Sequence, residues 1–178
     1  GKEDECSGCG ECVSLCPKKC ITLKPNDNGF LVPVINEQSC VQCGLCKNIC
    51  PMQGESTKHK PIAVYGAYSK KELSRSASGG IAYTIGKYFI KNGGIVYGAA
   101  YTDELQVKIE RVTSNEELIR IQGSKYVQAD MSGVIEKVLD DLGSGKSVFF
   151  SGTPCQIAGV TGAARKRGLE DKLTTVEI

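Results

Sequence analysis

The chain has 178 residues, and its 22 basic and 20 acidic side chains leave a formal charge of +2. That near balance, with no basic run, gives no case for nucleic acid. No apolar stretch approaches the roughly 18 residues of a membrane span, and the length allows a small module plus one more compact domain.

Nine of the ten cysteines lie within the first fifty residues. Eight of them spell one phrase twice: Cys6-x-x-Cys9-x-x-Cys12-x-x-x-Cys16-Pro17, then Cys40-x-x-Cys43-x-x-Cys46-x-x-x-Cys50-Pro51. A cubane needs four converging thiolates. Three at x-x spacing on one loop reach three irons, and the fourth must come from elsewhere. In this double phrase the fourth cysteine of each half serves the other cluster. The expected sets are Cys6, Cys9, Cys12 with Cys50, and Cys40, Cys43, Cys46 with Cys16. Gly8, Gly10 and Gly44 suit loops that turn sharply or approach an inorganic sulfur. Pro17 and Pro51 redirect the backbone after the crossing cysteines. The pattern is the bacterial ferredoxin signature for two [4Fe–4S] clusters, and the chain is expected to move electrons.

Two plainer readings compete. Zinc sites use paired C-x-x-C steps, and a third cysteine at the same spacing plus Cys-Pro, twice over, is poor zinc grammar. A disulfide scaffold needs an oxidising compartment, and no secretory segment is visible. Oxygen-sensitive clusters and free thiols favour a reducing cytoplasm instead. Cys20 occupies a position where a small apolar residue would pack under a cluster, so it reads as a buried structural thiol rather than a ligand. The chain starts at Gly1 without Met, which suggests an amino terminus processed, trimmed or excised from something longer.

In chain order, residues 1–54 form the expected cluster domain, an internal repeat of two cysteine phrases with short apolar strands. Ile21–Leu23 and Phe30–Val34 flank Asn26-Asp27-Asn28-Gly29, a hairpin signal. A polar linker over 55–61 holds His59, which sits among lysines and receives no role. Residues 62–178 then alternate strand and helix patterns, arguing an α/β layered domain. Strands are expected at 63–68, 95–101, 106–112, 147–150 and 173–178. Helices are expected at 79–91, at 115–121 with Asn115 as cap, at 132–142 and at 156–167.

Three loops carry more than structure. Ser74-Arg75-Ser76-Ala77-Ser78-Gly79-Gly80 leads into a helix, where hydroxyls and free N–H groups make either an anion site or an ordinary cap. Gln122-Gly123-Ser124-Lys125-Tyr126-Val127 follows a helix, and Gly123 suits a helix C-terminal position. Ser151-Gly152-Thr153-Pro154-Cys155-Gln156 turns from a buried strand into a helix, where ligands of open α/β sheets tend to sit. Cys155 falls at the amino end of that helix, whose dipole favours a thiolate, though a lone cysteine can also be simply packed.

Ser76–Gly80, Gly123–Val127 and Phe150–Gly159 occur together in an order that resembles the family of coenzyme F420 hydrogenase/dehydrogenase beta subunits, over residues 61–178. That resemblance implies an iron–sulfur flavoprotein oxidoreductase. Such a subunit passes electrons between FAD, cubane clusters and coenzyme F420 or another partner, within a hydrogenase- or dehydrogenase-type assembly. Relatives also reduce a chlorophyll intermediate or sulfite, so substrate does not follow. The implied fold is an α+β ferredoxin-like two-cluster domain followed by an α/β layered flavin-type domain. The implied cofactor-binding residues are Ser76, Ser78, Gly79, Gly80, Ser124, Lys125, Thr153 and Gln156, with Lys125 and Cys155 as catalytic candidates. Cys155 is either a flavin-side residue or a ligand of a further cluster. Family members continue past the strand at 173–178 into a second half with further cysteines and flavin contacts, so the flavin-type domain is expected to be incomplete here. Two other readings stand beside this one. A non-catalytic two-cluster carrier would use its α/β domain only to dock a larger complex. A binding module would take a phosphate-bearing ligand, its clusters structural or sensory.

Overall fold

A computed structural model describes residues 5–53 and 60–178. Gly1, His59 and most of the linker expected at 55–61 lie outside the described residues. The first unit is built on a repeat. Two one-turn helices, α1 (Glu11–Ser14) and α2 (Leu45–Asn48), each follow a left-handed glycine, Gly10 at φ 80° and Gly44 at φ 72°. A side chain at either φ would be strained, so glycine lets each cysteine loop turn straight into its helix.

Between the helices, β1 (Ile21–Pro25) pairs antiparallel with β2 (Leu31–Ile35), in the register Ile21 to Ile35. The turn closes as its sequence predicts. The Asn26 carboxamide oxygen accepts the N–H groups of Asn28 at 3.1 Å and Phe30 at 2.9 Å. Gly29 takes φ 81°.

The second unit is a mixed sheet in the order β4-β3-β5-β6. Its strands are β3 (Ile95–Tyr101), β4 (Val107–Val112), β5 (Val148–Gly152) and β6 (Leu173–Glu177). β3 and β4 form an antiparallel pair, and β5 and β6 run parallel to β3. Period-2 alternation divides the apolar side chains between two cores. On one face Ile95, Tyr97, Val148 and Phe150 meet α5 (Val134–Gly143) and α6 (Pro154–Lys166). On the other, Val96, Val112 and Phe149 meet α3 (Ile81–Lys91) and Leu118 of α4 (Asn115–Leu118). Burying an aromatic such as Phe150 contributes on the order of 2–3 kcal/mol. The described residues form a mixed α and β molecule with two sheets.

Several expectations need correction. Residues 63–68 form no strand: Ile62, Val64, Tyr65 and Tyr68 are exposed, with Ile62 at 105% of its reference surface. A strand needs a partner edge, and none pairs with this segment among the described residues. Ser114, not Asn115, caps α4, its hydroxyl accepting Glu117 N–H at 3.2 Å, and the helix tightens into a 3₁₀ turn over 119–121. The helix expected from 79 starts at Ile81 and that expected from 132 at Val134, because left-handed Gly80 and Gly133 precede them. The helix expected from Gln156 starts earlier, at Pro154, a residue whose missing N–H costs nothing in a first turn.

Candidate cluster sites and the adjoining groove

The second cysteine phrase and the end of the first share one cavity. Cys40, Cys43, Cys46 and Cys16 line a space of about 250 Å³, with Cys20 and Ile21 beside them. Here the crossing cysteine of the first half stands among the three loop cysteines of the second, the interleaving that the repeat implies. Cys43 is exposed, so this cavity opens to solvent.

The first set is deeper. Burial pushes the Cys9 thiol up to about 11, with charge at Glu11, Cys155 and Cys50 adding to the effect. Burial also pushes Cys12 up to about 12, reinforced by Cys9, Cys6, Cys46 and Cys50. Cys50 thus lies in the field of Cys9 and Cys12, again from the opposite half. Thiolates crowded this way need a cation among them, and iron supplies it. Among the described residues no three Cys, His, Asp or Glu side chains converge on one metal ion. A cubane spreads its four ligands over four irons and asks for a wider cage. Matching N–H···S contacts support both loops, from Gly8 to Cys6 Sγ and from Gln42 to Cys40 Sγ, each at 3.4 Å.

Cys20 is buried, with Sγ 3.5 Å from Cys16 Sγ. The Cys16 thiol is held below its ordinary value: burial opposes this, but hydrogen bonds from Cys20 and the following backbone outweigh it.

The two units meet along α6. Gly159 stands against Cys9, and Gly162 against the buried carboxylate of Glu11. Burial lifts the Glu11 carboxyl to about 7, with the Lys166 ammonium pulling the other way. From the sheet unit, Gln128 reaches across to β2. Its Oε1 accepts Leu31 N–H at 2.6 Å, and its Nε2 donates to Leu31 O at 3.1 Å and Ser7 O at 3.4 Å.

Beside this seam lies a groove of about 1060 Å³ on the α3 face of the sheet, at the carboxyl ends of β5 and β6. Its floor is apolar, built from Ile81, Ile85, Gly98, Leu118, Ile121 and Phe149. Its rim gathers all three loops singled out above: Ser76, Ser78 and Gly80, then Ser124 and Lys125, then Thr153, Cys155 and Gln156. Cys6, Ser7 and Phe30 of the first unit close the remaining wall. The loops are tied together where Gln122 Nε2 donates to Ser76 Oγ at 3.1 Å, while Ser76 donates to Glu72 O at 2.8 Å.

The side chains do not all face the groove freely. Gly79 is not part of its lining. Its carbonyl accepts Ser69 N–H at 2.7 Å, and a Cβ there would stand 2.7 Å from Ala67 O. Gln156 lines the groove, but its Oε1 accepts Thr153 N–H at 2.9 Å and so caps α6. Lys125 Nζ donates to the carbonyls of Arg120, Gln122 and Gly123 at 3.0–3.2 Å. Burial lowers its pKa, with Glu110 opposing. Cys155 Sγ lies 3.2 Å from Thr153 Oγ1.

Gln128, Ser7 and Phe30 were not singled out in the sequence. A lone glutamine after Val127 carries no local signal, and its role exists only across a sequence gap of 97 residues.

The groove suits a flat aromatic ligand with an anionic tail. Its apolar floor would take the rings. The first-turn N–H groups of α3, with no side-chain cap at Gly80, would take a phosphate. Ser7 Oγ is buried beside the groove with no hydrogen-bond partner among the described residues, a polar atom that a bound group would satisfy.

Comparison with known proteins agrees with this geometry. Residues 5–53 match the 4Fe-4S dicluster domain family. Residues 64–136 match the family described as coenzyme F420 hydrogenase/dehydrogenase, beta subunit N-term. No curated protein matches the chain. The chain is thus similar, domain by domain, to a 4Fe–4S dicluster module followed by the amino-terminal domain of coenzyme F420 hydrogenase/dehydrogenase beta subunits, the arrangement of an iron–sulfur electron-transfer subunit.

Proposed function

We propose that this chain is the electron-conducting part of an iron–sulfur flavoprotein oxidoreductase, with FAD in the groove and coenzyme F420 or a similar hydride carrier as its two-electron partner. Residues 1–54 form the two-cluster domain and 62–178 the groove-bearing one. Cys6, Cys9, Cys12 and Cys50 hold the cluster beside the groove. Cys40, Cys43, Cys46 and Cys16 hold the one nearer solvent, from which a redox partner protein is served.

The observation that carries this reading is the shared wall. One cavity is lined both by the family's three loops and by Cys6, Ser7 and Phe30 of the cluster unit. A flavin bound there supplies the exchange between hydride chemistry, two electrons with one proton, and one-electron chemistry, each cubane holding a single electron. The chain's own residues bind and orient. The α3 amino terminus and Ser78 hold the phosphate tail, Lys125 and Ser124 border the ring, and the apolar floor excludes water. Cys155 lines the groove, where it would serve either as a flavin-side residue or as a ligand of a further cluster.

The test is anaerobic purification of the full-length protein, followed by iron counting, addition of FAD and reductive titration. Two reducible [4Fe–4S] signals with saturable flavin uptake support the reading. Iron-loaded protein that takes up no flavin under any condition overturns it.

A further inference from the structure

Gln128 on the groove wall and Ser7 in the inner cluster loop lie 121 residues apart in the chain, and the spacing between groove and loop must be held by something. α6 supplies close packing at Gly159 and Gly162, which carries no side-chain hydrogen bond of its own. The directional link is Gln128. Its carboxamide meets Leu31 as a neighbouring strand would, accepting the N–H at 2.6 Å and donating to the carbonyl at 3.1 Å. The same Nε2 also donates to Ser7 O at 3.4 Å, within the Cys6–Cys9 loop. Gly8 completes the fit: it takes φ 69°, and a Cβ there would overlap Gln128 Nε2. Gln128 itself lines the groove.

We propose that Gln128 is a positioning residue that locks the Cys6–Cys9 loop and β2 onto the groove wall, setting the spacing between a groove-bound redox ligand and the inner cluster. This rests on the flavin reading of the groove for its functional half, and on the hydrogen bonds alone for its structural half. The amide is suited to the task because it donates and accepts at once. A carboxylate at 128 would keep the bond to Leu31 N–H but face two carbonyls with a second acceptor. Misplacing reactive groups by about 1 Å can cost on the order of a hundredfold in rate, so a loosened seam is expected to be visible kinetically.

The experiment compares full-length, cluster-loaded wild type with Gln128→Ala and Gln128→Glu. Amide hydrogen exchange at Leu31 and across residues 6–9 is read first, on protein without added flavin. Exchange is expected to accelerate at least tenfold in both variants, while both clusters still reduce with dithionite at unchanged midpoint potentials. With FAD at saturating concentration, the rate of cluster reduction by a hydride donor is expected to fall about tenfold or more. Wild-type exchange in either variant overturns the lock, whether or not flavin binds. Faster exchange with an unchanged internal transfer rate overturns the functional half and leaves the flavin reading standing. A protein that binds no flavin sinks that reading, and the functional half with it, while the exchange arm still decides the structural half.

Discussion

Gly159 of α6 lies against Cys9: a Cβ built on the glycine would stand 3.4 Å from the Cys9 Sγ, Cβ and carbonyl oxygen. That distance is ordinary van der Waals contact, so a methyl group fits and nothing larger does. Gly159→Ala is therefore expected to keep both clusters. Gly159→Leu would drive into the inner cysteine loop, an overpacking that typically costs about 1–3 kcal/mol. Iron content in the Leu variant should fall towards one cluster per chain, with the remaining paramagnetic signal that of the outer site.

The crossing of ligands makes a sharper test. Cys16 belongs by sequence to the first phrase but lines the cavity of the second. Cys16→Ala should weaken the outer cluster and leave the inner one reducible, and Cys50→Ala should do the reverse. Cys20→Ala should retain iron at both sites, because its thiol touches Cys16 as a neighbour. Loss of a cluster in the Cys20 variant would make it a ligand.

Lys125 offers a test of the groove. Its ammonium donates to three carbonyls at the rim, where Gly123 follows the 3₁₀ turn. Removing a charged hydrogen-bonding group of this kind costs about 1.5–3 kcal/mol, so Lys125→Ala should weaken flavin uptake roughly tenfold or more. Iron content should not change. Fluorescence titration with FAD, beside iron analysis, separates the two effects.

Within the sheet unit, one carboxylate ties stability to pH. Asp141 Oδ2 accepts both Tyr97 O–H at 2.6 Å and Arg111 Nε at 2.7 Å, and Oδ1 accepts Arg111 Nη2 at 2.9 Å. Burial alone would raise the Asp141 carboxyl, but the Arg111 and Tyr97 hydrogen bonds outweigh it and hold it below the usual carboxylate range. A depressed folded value means the stabilisation is complete above the unfolded carboxylate value of about 3.9 and is lost as pH falls through the folded one. Asp141→Asn should cost about 1–3 kcal/mol near neutral pH in urea unfolding. The gap from wild type should narrow as pH falls below the unfolded value of about 3.9 and through the folded one.

The legible parts of the molecule were those whose signal is local. The Asn26–Gly29 turn announces itself because one asparagine side chain satisfies two nearby N–H groups. The strands expected at 95–101 and 173–178 form at Ile95–Tyr101 and Leu173–Glu177, where apolar and β-branched residues cluster. The segment at 63–68 has the same texture, yet it stays exposed and outside any strand because strand formation depends on an available edge. Gly79 looked like Gly80 in sequence, but only the second takes a left-handed φ and borders the groove. Lys125 and Gln156 were found by motif, while the carbonyls and the helix cap that engage them were not, since those are matters of side-chain direction.

The ligand sets expected in the cysteine unit were legible from the sequence, because the doubled cysteine spacing and its Cys-Pro ends are a local motif. Which cluster faces the groove, which faces solvent, and that Gln128 joins the two units could be decided only by the folded chain. Those relationships join residues far apart along the backbone, and no local periodicity or spacing records how such segments are brought side by side.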